Sequence, residues 1–386
     1  MPSIWSPLPP SKSGIANYVG ALYLDQPEFE DCSFVVNDPK EIEHPCAADV
    51  SDQSTGDKHA LLQIGNNIFH DYIYERAQVG GAIVEMHDLS LHHLHTEVTL
   101  ARGDFTGYRN LLEECEGEWG RKFAYQRSKG YYSQHLEFHT RVNKRVTERA
   151  EAVIVHSEWA RMQLELQGCR GPIYVIPHYA LTPEQSPTGV KTRQEARARL
   201  GFADDDFIIL SAGYVTRAKR IEWTVAAFEA LADDCPHARL VIAGEVLPDI
   251  LGGLITDSRH RDRIHITGYL ADAAFCDYTL AADVLPVMRF PSAGESSGVA
   301  SRALGFGRLV IAPELMAFSD LNDKYVEKIH LDQPPVEQLI KILRRWAGDL
   351  PALRRKEAEI SAYAARHLSL DNIRKDVAQI LRWHWN

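Results

Sequence analysis

The chain has 386 residues, which is long enough for two domains of ordinary size. Its composition, 45% hydrophobic and 25% charged, is typical of a globular protein and excludes a disordered or fibrous chain. The net charge of −11 argues against general nucleic-acid binding, which needs a basic surface.

The sequence also predicts no membrane span, no secretory signal and no disulfide framework. It lacks a run of about 18 uncharged apolar residues, and its first residues, MPSIWSPLPPSKSG, lack a basic start followed by an apolar stretch. The six cysteines are scattered without CxxC spacing, which argues against a zinc site and favours a reducing compartment. They are Cys32, Cys46, Cys115, Cys169, Cys235 and Cys276. We therefore expect a cytoplasmic protein.

Short apolar runs alternate with longer helical stretches along the chain. Because strands buried on both faces form continuous apolar runs, these runs predict parallel sheets covered by helices. The eight runs lie at 81–88, 150–157, 173–178, 207–213, 238–245, 263–268, 282–288 and 308–313. Eight strands over this length exceed one sheet, so we predict an α/β protein with two doubly wound, Rossmann-like domains facing each other across a cleft.

A change in composition marks the boundary between the two predicted domains. Residues 178–202 are rich in Pro, Gly and polar residues and lead into a helix predicted from Thr192. We place the first domain at 1–185 and the second at 186–368. A C-terminal helix at 369–386 is expected to pack back on the first domain.

The first candidate binding segment is SPLPPSKSGIANY, near the N-terminus. Ser13 and Gly14 begin a predicted helix, and a glycine at that point lets a phosphate or a sugar approach the backbone. A lone glycine after a strand is also typical of an ordinary turn.

The next segment, QIGNNIFHDYIY, carries polar side chains suited to carbohydrate hydroxyls. They are Asn66, Asn67 and His70. The same residues fit an Asn-rich turn followed by a helix cap.

Histidines are concentrated in the segment EMHDLSLHHLH. His87 and Asp88 stand at the carboxyl end of a predicted strand. His92, His93 and His95 raise the question of a metal site, although no second cluster has ligand spacing and histidines on a helix surface explain them equally.

In the second half, SAGYVTRAKRIEW places cations between a strand and a helix. The strand ends at Gly213, and the loop carries Arg217, Lys219 and Arg220. Cations beside a helix N-terminus make an anion site, because the helix amides and dipole already favour negative charge. A solvated basic turn is the alternative.

The segment FPSAGESSGVASRALGFG has a single carboxylate among small residues. Ser296 or Ser297 caps a predicted helix, and Gly298 leaves its first amides open to a diphosphate. Glu295 is suited to sugar hydroxyls or, alternatively, complements the dipole of its own helix. Arg289 is either a second phosphate contact or a surface cation.

Taken together and in this order, these segments resemble the family 4 retaining glycosyltransferases of GT-B fold, over nearly the full chain. The matching stretches are SPLPPSKSGIANY, GNNIFHDYIY, MHDLSLHHL, VIVHS, VIPH, GYVTRAKR and AGESSGVASRALGFGRLVI. The resemblance implies an acceptor-side first domain and a donor domain after it. It implies retaining transfer of a sugar from a nucleotide-diphosphate donor to a hydroxyl of a glycan or lipid-linked acceptor, in bacterial surface polysaccharide or glycoconjugate synthesis.

The resemblance also assigns roles to individual residues, with His87, Lys219 and Glu295 as the catalytic group. His87 lies near the transferred sugar, Lys219 neutralises the diphosphate and Glu295 holds the donor sugar. The other implied donor-site residues are Gly14, Arg217, Arg220, Tyr269 beside the base, Arg289, Ser297, Gly298 and Val299. Asn66, Asn67, His70 and Asp88 are assigned to the acceptor.

Two departures from the family pattern concern the nucleotide. Ala303 stands where the family has a second Glu, usually assigned to the ribose, and Arg302 matches that position if one residue is deleted. Gly213 is followed by Tyr214 instead of Arg, so the arginine role moves to Arg217. The ribose contact and the choice of base stay open.

We expect no metal cofactor, because cations can neutralise the diphosphate and no Asp-x-Asp motif lies in a plausible donor loop. A nicotinamide-dependent dehydrogenase is disfavoured, since the GxGxxG fingerprint after the first strand is missing. A catalytically altered homologue that serves as a binding partner stays open, as do a nucleotide-sugar epimerase and a phosphorylase.

Residues 118–149 carry eight Lys or Arg against three Glu in an otherwise acidic chain. Aromatic side chains interleave with these cations, a mixture that fits a peripheral contact with anionic headgroups at the inner face of the membrane. A solvated helix whose aromatics pack on their own domain is the alternative. The aromatic residues are Trp119, Phe123, Tyr125, Tyr131, Tyr132 and Phe138.

Overall fold

The structure, a computed structural model, describes residues 1–11, 13–42, 44, 47–49, 59–246 and 250–385. Its contacts divide the chain into two compact units. Unit 1 comprises Met1–Pro177, Pro291–Ser296 and Ile373–Asn386. Unit 2 comprises His178–Phe290 and Ser297–Asn372.

Unit 1 is built on a parallel sheet of seven described strands. They are β1 (Ser3–Trp5), β2 (Ser33–Val36), β3 (Ala47–Asp49), β4 (Ala60–Ile64), β5 (Ile83–Met86), β6 (Ala152–Val155) and β7 (Ile173–Val175). Their order in the sheet is β3-β2-β1-β4-β5-β6-β7, and every neighbouring pair is parallel. The residues of β4, β5 and β6 are buried throughout, as expected for strands covered on both faces.

The helices of unit 1 follow the strands in the alternation that parallel pairing requires. They are α1 (Gly14–Leu22), α2 (Asp71–Val79), α3 (His92–Val98), α4 (Phe105–Ser128), α5 (Gln134–His139), α6 (Lys144–Thr147) and α7 (Glu158–Leu166). Helix α4 is kinked at Gly117, whose φ of 63° is not helical.

Unit 2 contains a second parallel sheet, with six described strands. They are β8 (Phe207–Ala212), β9 (Ala238–Ala243), β10 (Ile264–Gly268), β11 (Val284–Pro286), β12 (Leu309–Pro313) and β13 (Val326–Ile329). The order is β10-β9-β8-β11-β12-β13, again with parallel neighbours throughout. The helices are α8 (Arg193–Leu200), α9 (Ile221–Ala232), α10 (Gly252–Thr256), α11 (Asp272–Ala281), α12 (Gly298–Gly305), α13 (Pro335–Ala347) and α14 (Leu350–His367).

A buried ionic cluster ties two helices of unit 2 to its sheet. Asp283, fully buried just before β11, accepts hydrogen bonds from Arg197 of α8 at 2.8 Å and Arg354 of α14 at 2.6 Å. Its carboxylate also accepts from the backbone N–H of Ile208 at 2.7 Å. These donors satisfy the carboxylate and thereby offset the desolvation cost of its burial.

The last helix, α15 (Leu370–Trp385), contributes most of its length to unit 1. Arg374 donates to the carbonyl oxygen of Leu22 at 3.1 Å, and His384 lies 2.8 Å from Glu151. The contacts divide the chain between Pro177 and His178 and assign Pro291–Ser296 to unit 1, whereas the sequence predicts a single boundary at 185/186. The acceptor and donor roles of the two predicted domains stay predictions.

All eight apolar runs form strands, and the helix predicted from Thr192 is α8, capped by the Thr192 side chain. The runs account for β5 to β12. Strands β1 to β4 and β13 were missed. They are three to five residues long, as are six of the predicted strands, so length does not distinguish the missed strands from the predicted ones.

Five cysteines are free thiols, as their scattered spacing predicts, and Cys46 lies outside the described residues. Within the described ranges, no helix combines the length and the apolar character needed to cross a membrane.

Three histidines of unit 1 are buried and neutral. Burial lowers the pKa of His70 and of His92 to about 4, and the pKa of His95 to about 3. The Nε2 atoms of His70 and His95 are buried and have no hydrogen-bond partner among the described residues, so a proton there would have no acceptor. His93, on the same helix as His92 and His95, is exposed.

These histidines make the stability of unit 1 depend on pH. Their folded pKa values lie below about 6.5, the value in the unfolded chain, so the unfolded state binds more protons between about pH 6.5 and 4. The free energy of unfolding should therefore fall on acidification through this window, by about 3 kcal/mol per buried histidine. Urea unfolding at a series of pH values measures this slope.

Substitution of one buried and one exposed histidine on α3 provides the control. His95→Gln should reduce the number of protons taken up on unfolding by up to one, and the pH dependence of the free energy of unfolding should fall accordingly. His93→Gln should leave this dependence unchanged. Equal slopes in the native protein and His95→Gln would contradict the assignment.

Candidate active site

In each unit the candidate residues follow the strands at one edge of the sheet. Because all strands of a sheet are parallel, their carboxyl ends lie together, which is where open α/β sheets bind ligands. In unit 1 these residues follow β1, β4 and β5, and in unit 2 they follow β8, β10 and β11.

Lys219 is held at the carboxyl end of β8. Its Nζ donates to the carbonyl oxygen of Ala212 at 2.7 Å. Gly213 has a φ of +86°, and a Cβ on it would stand 2.5 Å from Lys219 Nζ and 3.6 Å from Val299 Cγ2. The structure therefore brings Lys219 and the first turn of α12 together around Gly213, and only a glycine leaves room for this arrangement.

Helix α12 begins as the sequence predicts. Ser297 is the cap, and its side chain accepts from the N–H of Ala300 at 3.2 Å. Gly298 is exposed, and His178 Nε2 lies 3.2 Å from the position that a Cβ on Gly298 would take. His178, which follows β7 in the segment VIPH, was not singled out in the sequence, although its place after an apolar run is the feature that marked His87.

The remaining cations of this unit differ in their surroundings. Arg217 is exposed in the turn before α9, and Arg289 is half-buried after β11. Arg220 donates to the carbonyl oxygen of Phe290 at 2.7 Å and lies over the Trp223 ring. These contacts stabilise the loop, so Arg217 is the better placed of the two neighbouring arginines to reach a ligand.

Arg302, beside the position that departs from the family pattern, forms an ion pair in the structure. Arg302 of α12 is hydrogen-bonded to Asp272 at the start of α11 and lies 3.4 Å from Cys276 Sγ. Tyr269 and Tyr214, after β10 and β8, are exposed. The ribose contact and the role of Tyr269 stay predictions.

Glu295 is buried in the loop that belongs to unit 1. Its Oε2 accepts from Ser292 Oγ at 2.8 Å and from the N–H of Ala293 at 2.7 Å. The loop packs on the unit, because Ser90 N–H donates to the carbonyl oxygen of Ala293 at 3.1 Å. The helix cap is Ser297, so Glu295 orders its own loop, and its contact with a sugar stays a prediction.

The other candidates of unit 1 follow β1, β4 and β5. Gly14 is exposed, with open space where a side chain would stand, as a close ligand approach requires. Asp88 accepts from the N–H of Asn66 at 2.8 Å, and Asn66 Oδ1 accepts from Leu94 N–H at the start of α3. Asn67 caps the turn before α2.

His70 differs from these residues because it is fully buried. Its Nδ1 is 2.8 Å from the carbonyl oxygen of Gln63. In this position it supports the end of β4, and its assignment to acceptor binding stays a prediction.

A buried network lies beneath His87, and the sequence analysis missed most of it. Glu85 accepts from Tyr18 at 2.8 Å, from Gln63 Nε2 at 2.6 Å, and from Tyr23. Gln63 Oε1 is 2.7 Å from His87 Nε2. Glu85, Gln63 and Tyr23 are completely buried. A carboxylate in the apolar run VEM is the feature that could have revealed it.

The network continues to the end of β6. His156 Nε2 lies 3.0 Å from His87 Nδ1, and His156 Nδ1 lies 2.9 Å from the carbonyl oxygen of Ile176. Both rings line a small pocket together with Ser157, Gly294 and Ser296. His156 stands in the segment VIVHS, directly after a strand, exactly as His87 does in its own segment.

The histidine cluster on α3 is not assembled into a metal site. In the part of the chain that the structure describes, one group of three possible metal ligands comes together, namely Glu85, His87 and His156. Each of these side chains is already engaged in hydrogen bonds within the network, and three donors surround the carboxylate. Independence of a metal ion stays a prediction.

The basic and aromatic segment divides into a small core and an exposed face. Phe123 packs with Tyr108 and Leu112. Four of the aromatic side chains are exposed, namely Trp119, Tyr125, Tyr131 and Tyr132. Phe123 is packed internally. Of the four exposed side chains, Trp119 is stacked on Phe123 and Tyr132 lies under the Arg127 guanidinium.

The crowding at Gly213 leads to a prediction about Lys219. Gly213→Ala should displace the ammonium group and weaken binding of a nucleoside diphosphate at least tenfold, or about 1.4 kcal/mol. Calorimetric titration with UDP, GDP and ADP measures the affinity. Gly201→Ala is the matched control, because Gly201 also has a positive φ, of +76°, but open space around it. Equal losses in both variants would attribute the effect to backbone strain.

Comparison with known proteins agrees with this architecture. Residues 192–366 match the family model described as glycosyl transferases group 1, a match over less than half of the chain. No curated protein sequence matches the chain.

Several solved structures are similar over the whole chain. Sucrose-phosphate synthase from Thermosynechococcus elongatus has 18% identity and a TM-score of 0.69, covering 100% of this chain and 99% of that one. WaaG, a glycosyltransferase involved in lipopolysaccharide biosynthesis, has 13% identity and a TM-score of 0.65, with 99% of each chain covered. Anabaena Alr3699/HepE in complex with UDP and glucose has 14% identity and a TM-score of 0.63, also with 99% of each covered.

Similarity at these identities establishes the fold. The chain has the two-domain GT-B fold of known glycosyltransferases, and its residues 192–366 carry the sequence pattern of the group 1 glycosyl transferases.

Proposed function

We propose that this protein is a retaining glycosyltransferase that moves a sugar from a nucleotide-diphosphate donor to a hydroxyl of a glycan or lipid-linked acceptor. The observation that carries the proposal is the position of Lys219, whose ammonium group lies at the carboxyl end of β8 beside the first turn of α12. A cation next to the free amides of a helix N-terminus is suited to a diphosphate. The group 1 match at 192–366 and the UDP bound by Anabaena Alr3699/HepE support the donor class.

The proposed chemistry needs stabilisation of a diphosphate leaving group. Lys219, the exposed Arg217 and the amides of Gly298 and Val299 supply positive charge and hydrogen-bond donors for it. Glu295, ordered by its own loop, is the proposed partner of the donor sugar. We propose that no metal ion is needed, because these groups neutralise the diphosphate.

The biological setting of the proposal is the bacterial cytoplasm, in the synthesis of surface polysaccharide or glycoconjugate. Similarity to WaaG, a glycosyltransferase involved in lipopolysaccharide biosynthesis, supports this setting. The proposal names the chemical class of the acceptor, a glycan or a lipid-linked sugar, and the class of the donor, a nucleotide-diphosphate sugar.

One observation favours a second candidate, a homologue without turnover that binds its ligand. The position of the family's second carboxylate is Ala303, or Arg302 if one residue is deleted, and Arg302 is paired with Asp272. A binding protein of this kind would retain nucleotide affinity and release no nucleotide from any donor. An epimerase would convert the donor without an acceptor.

A panel of nucleotide sugars separates these functions. Release of nucleoside diphosphate should require an acceptor mixture of glycans and lipid-linked sugars, and it should continue in the presence of a chelator. Analysis of the product by NMR should show the anomeric configuration of the donor. Nucleotide release that stops on chelation and returns with a divalent ion would contradict metal independence, and an inverted product would contradict retention.

The same assay distinguishes the roles of Lys219 and Glu295. Lys219→Ala should weaken the donor and the free nucleoside diphosphate alike, because both carry the diphosphate. Glu295→Ala should lower turnover at least tenfold and leave free nucleotide binding nearly unchanged. Lys341→Ala, on the exposed face of α13, is the control. Equal losses of nucleotide affinity in the Lys219 and Glu295 variants would remove the sugar assignment of Glu295.

We also propose that residues 118–149 touch the membrane surface. The four exposed aromatic side chains lie among exposed cations such as Arg121 and Lys122, and Lys129 lies over the Tyr125 ring. Sedimentation with anionic vesicles at low salt tests this contact. Protein that stays in the supernatant, together with unchanged acceptor use after charge reversal of Arg121 and Lys122, would restrict the segment to a structural role.

A further inference from the structure

A cleft lies in unit 2 at the edge of the sheet opposite to the candidate residues. It is found at the amino ends of β12 and β13, whose first residues, Leu309 and Val326, line it. Lys219 lies at the carboxyl end of β8 in the same parallel sheet. Because β12 has five residues, each with a rise of about 3.3 Å, the two edges are roughly 13 Å apart. The cleft is therefore separate from the diphosphate site of the proposed function.

The cleft is large enough for a small ligand. Its volume is about 240 Å³, whereas a water in the liquid occupies about 30 Å³ and typical small-molecule sites begin at about 300 Å³. Leu309 and Val326 are buried and make part of its surface apolar. The other lining residues are charged or aromatic, namely Asp323, Lys324, Glu327, Arg345, Trp346 and Lys356. An apolar surface with convergent polar groups is typical of a small-molecule site.

Three side chains form one ordered wall of the cleft. Trp346 Nε1, near the end of α13, donates to Glu327 Oε1 at 3.0 Å, and Arg345 donates to the same oxygen. The Arg345 guanidinium also lies over the Trp346 ring, 5.0 Å from its centroid. Among the described residues no donor is hydrogen-bonded to Glu327 Oε2, so this oxygen is available to a hydroxyl group of a ligand. A wall that is ordered before binding lowers the entropy cost of binding.

Two ammonium groups lie over one tyrosine ring beside this wall. Lys324 Nζ is 5.4 Å and Lys356 Nζ is 6.0 Å from the centroid of the Tyr325 ring. Tyr325 is stacked on Tyr363 of α14, with the ring centroids 4.3 Å apart. The stack fixes the ring over which both cations lie, and both cations line the cleft.

Neighbouring carboxylates balance these two cations only in part. Lys356 lies 3.6 Å from Glu359, and Asp323 lies 3.6 Å from Lys328. Lys324 has no ion-pair partner in the part of the chain that the structure describes. Because like charges that lie close together repel each other, an anionic group bound between Lys324 and Lys356 would remove this repulsion.

We propose that this cleft is a second binding site, whose ligand is a sugar that carries an anionic group. The ammonium groups of Lys324 and Lys356 bind the phosphate or carboxylate of the ligand. The indole of Trp346 and the side chain of Leu309 contact the C–H groups of the sugar ring, and Glu327 Oε2 accepts from a hydroxyl. The proposal does not rest on the proposed function, because the cleft lies at the other edge of the sheet.

The test follows the indole N–H signals of full-length protein labelled with ¹⁵N-tryptophan. The chain has seven tryptophans, and Trp346→Phe assigns the signal of the cleft. Glucose 6-phosphate should shift this signal with a Kd of about 1 mM or below, whereas glucose and inorganic phosphate should bind at least tenfold more weakly. Each of these two controls carries only one half of the proposed chemistry.

The same spectra contain the outcomes that would overturn the proposal. Glucose that binds as tightly as glucose 6-phosphate would exclude recognition of the anion, and inorganic phosphate that does so would exclude recognition of the sugar. Trp223, in the first turn of α9 after β8, is a probe of the opposite edge. A shift of Trp223 without a shift of Trp346 would assign the binding to that edge, and no shift at all would exclude the site.

Removal of the two cations is the second arm of the test. The double variant Lys324→Gln/Lys356→Gln should bind glucose 6-phosphate at least tenfold more weakly. Lys375→Gln is the matched control, because Lys375 is an exposed lysine of α15 in unit 1, and it should bind as the native protein does. A native Trp346 signal in the ligand-free double variant shows that the cleft is intact. Unchanged binding in that variant would overturn the role of the two lysines.

A free sugar phosphate and an acidic unit of a glycan chain share the proposed chemistry. Galacturonic acid and its linear trimer distinguish these sources. Tighter binding of the trimer supports a glycan chain, and equal binding supports a single sugar unit. All of these measurements detect binding at Trp346, so they keep their power to contradict the proposal if the protein transfers no sugar or if the double variant does not fold.

Discussion

Parallel pairing of the strands is the constraint on which both candidate sites depend. It forces every strand of a sheet to end at the same edge, so residues far apart in sequence become neighbours without any contact specific to them. Lys219 after β8 and Val299 at the start of α12 meet around Gly213 for this reason. Gln63, His87 and His156, which belong to the ends of three adjacent strands, meet in the same way.

Burial of a charged group within or beside each sheet then determines which side chains must accompany it. Glu85 lies within the sheet of unit 1, where an isolated carboxylate would be unstable, and two tyrosines and an amide surround it. Asp283 in unit 2 is likewise stabilised by hydrogen bonds, which Arg197 and Arg354 donate. The first group lies beneath a small pocket, whereas the second ties two helices to the sheet.

The loop Pro291–Ser296 shows how contacts can divide a motif that is continuous in sequence. Glu295 and Ser297 are two residues apart, yet the contacts place Glu295 with unit 1 and Ser297 with unit 2. Glu295 accepts hydrogen bonds from Ser292 and Ala293 of its own loop, whereas Ser297 caps α12.

The sequence by itself determined the α/β class, the eight strands β5 to β12 and the cap of α12, because each depends on a local pattern of apolar residues or on one hydroxyl at a helix start. It also marked Lys219, Gly213 and His87 through their places after apolar runs. Only the tertiary structure decided that His70 is buried, that Arg302 is paired with Asp272, and that Glu85 and His156 lie beside His87. These outcomes depend on neighbours 7 to 69 residues away in the chain, and no local pattern encodes which strand ends next to which.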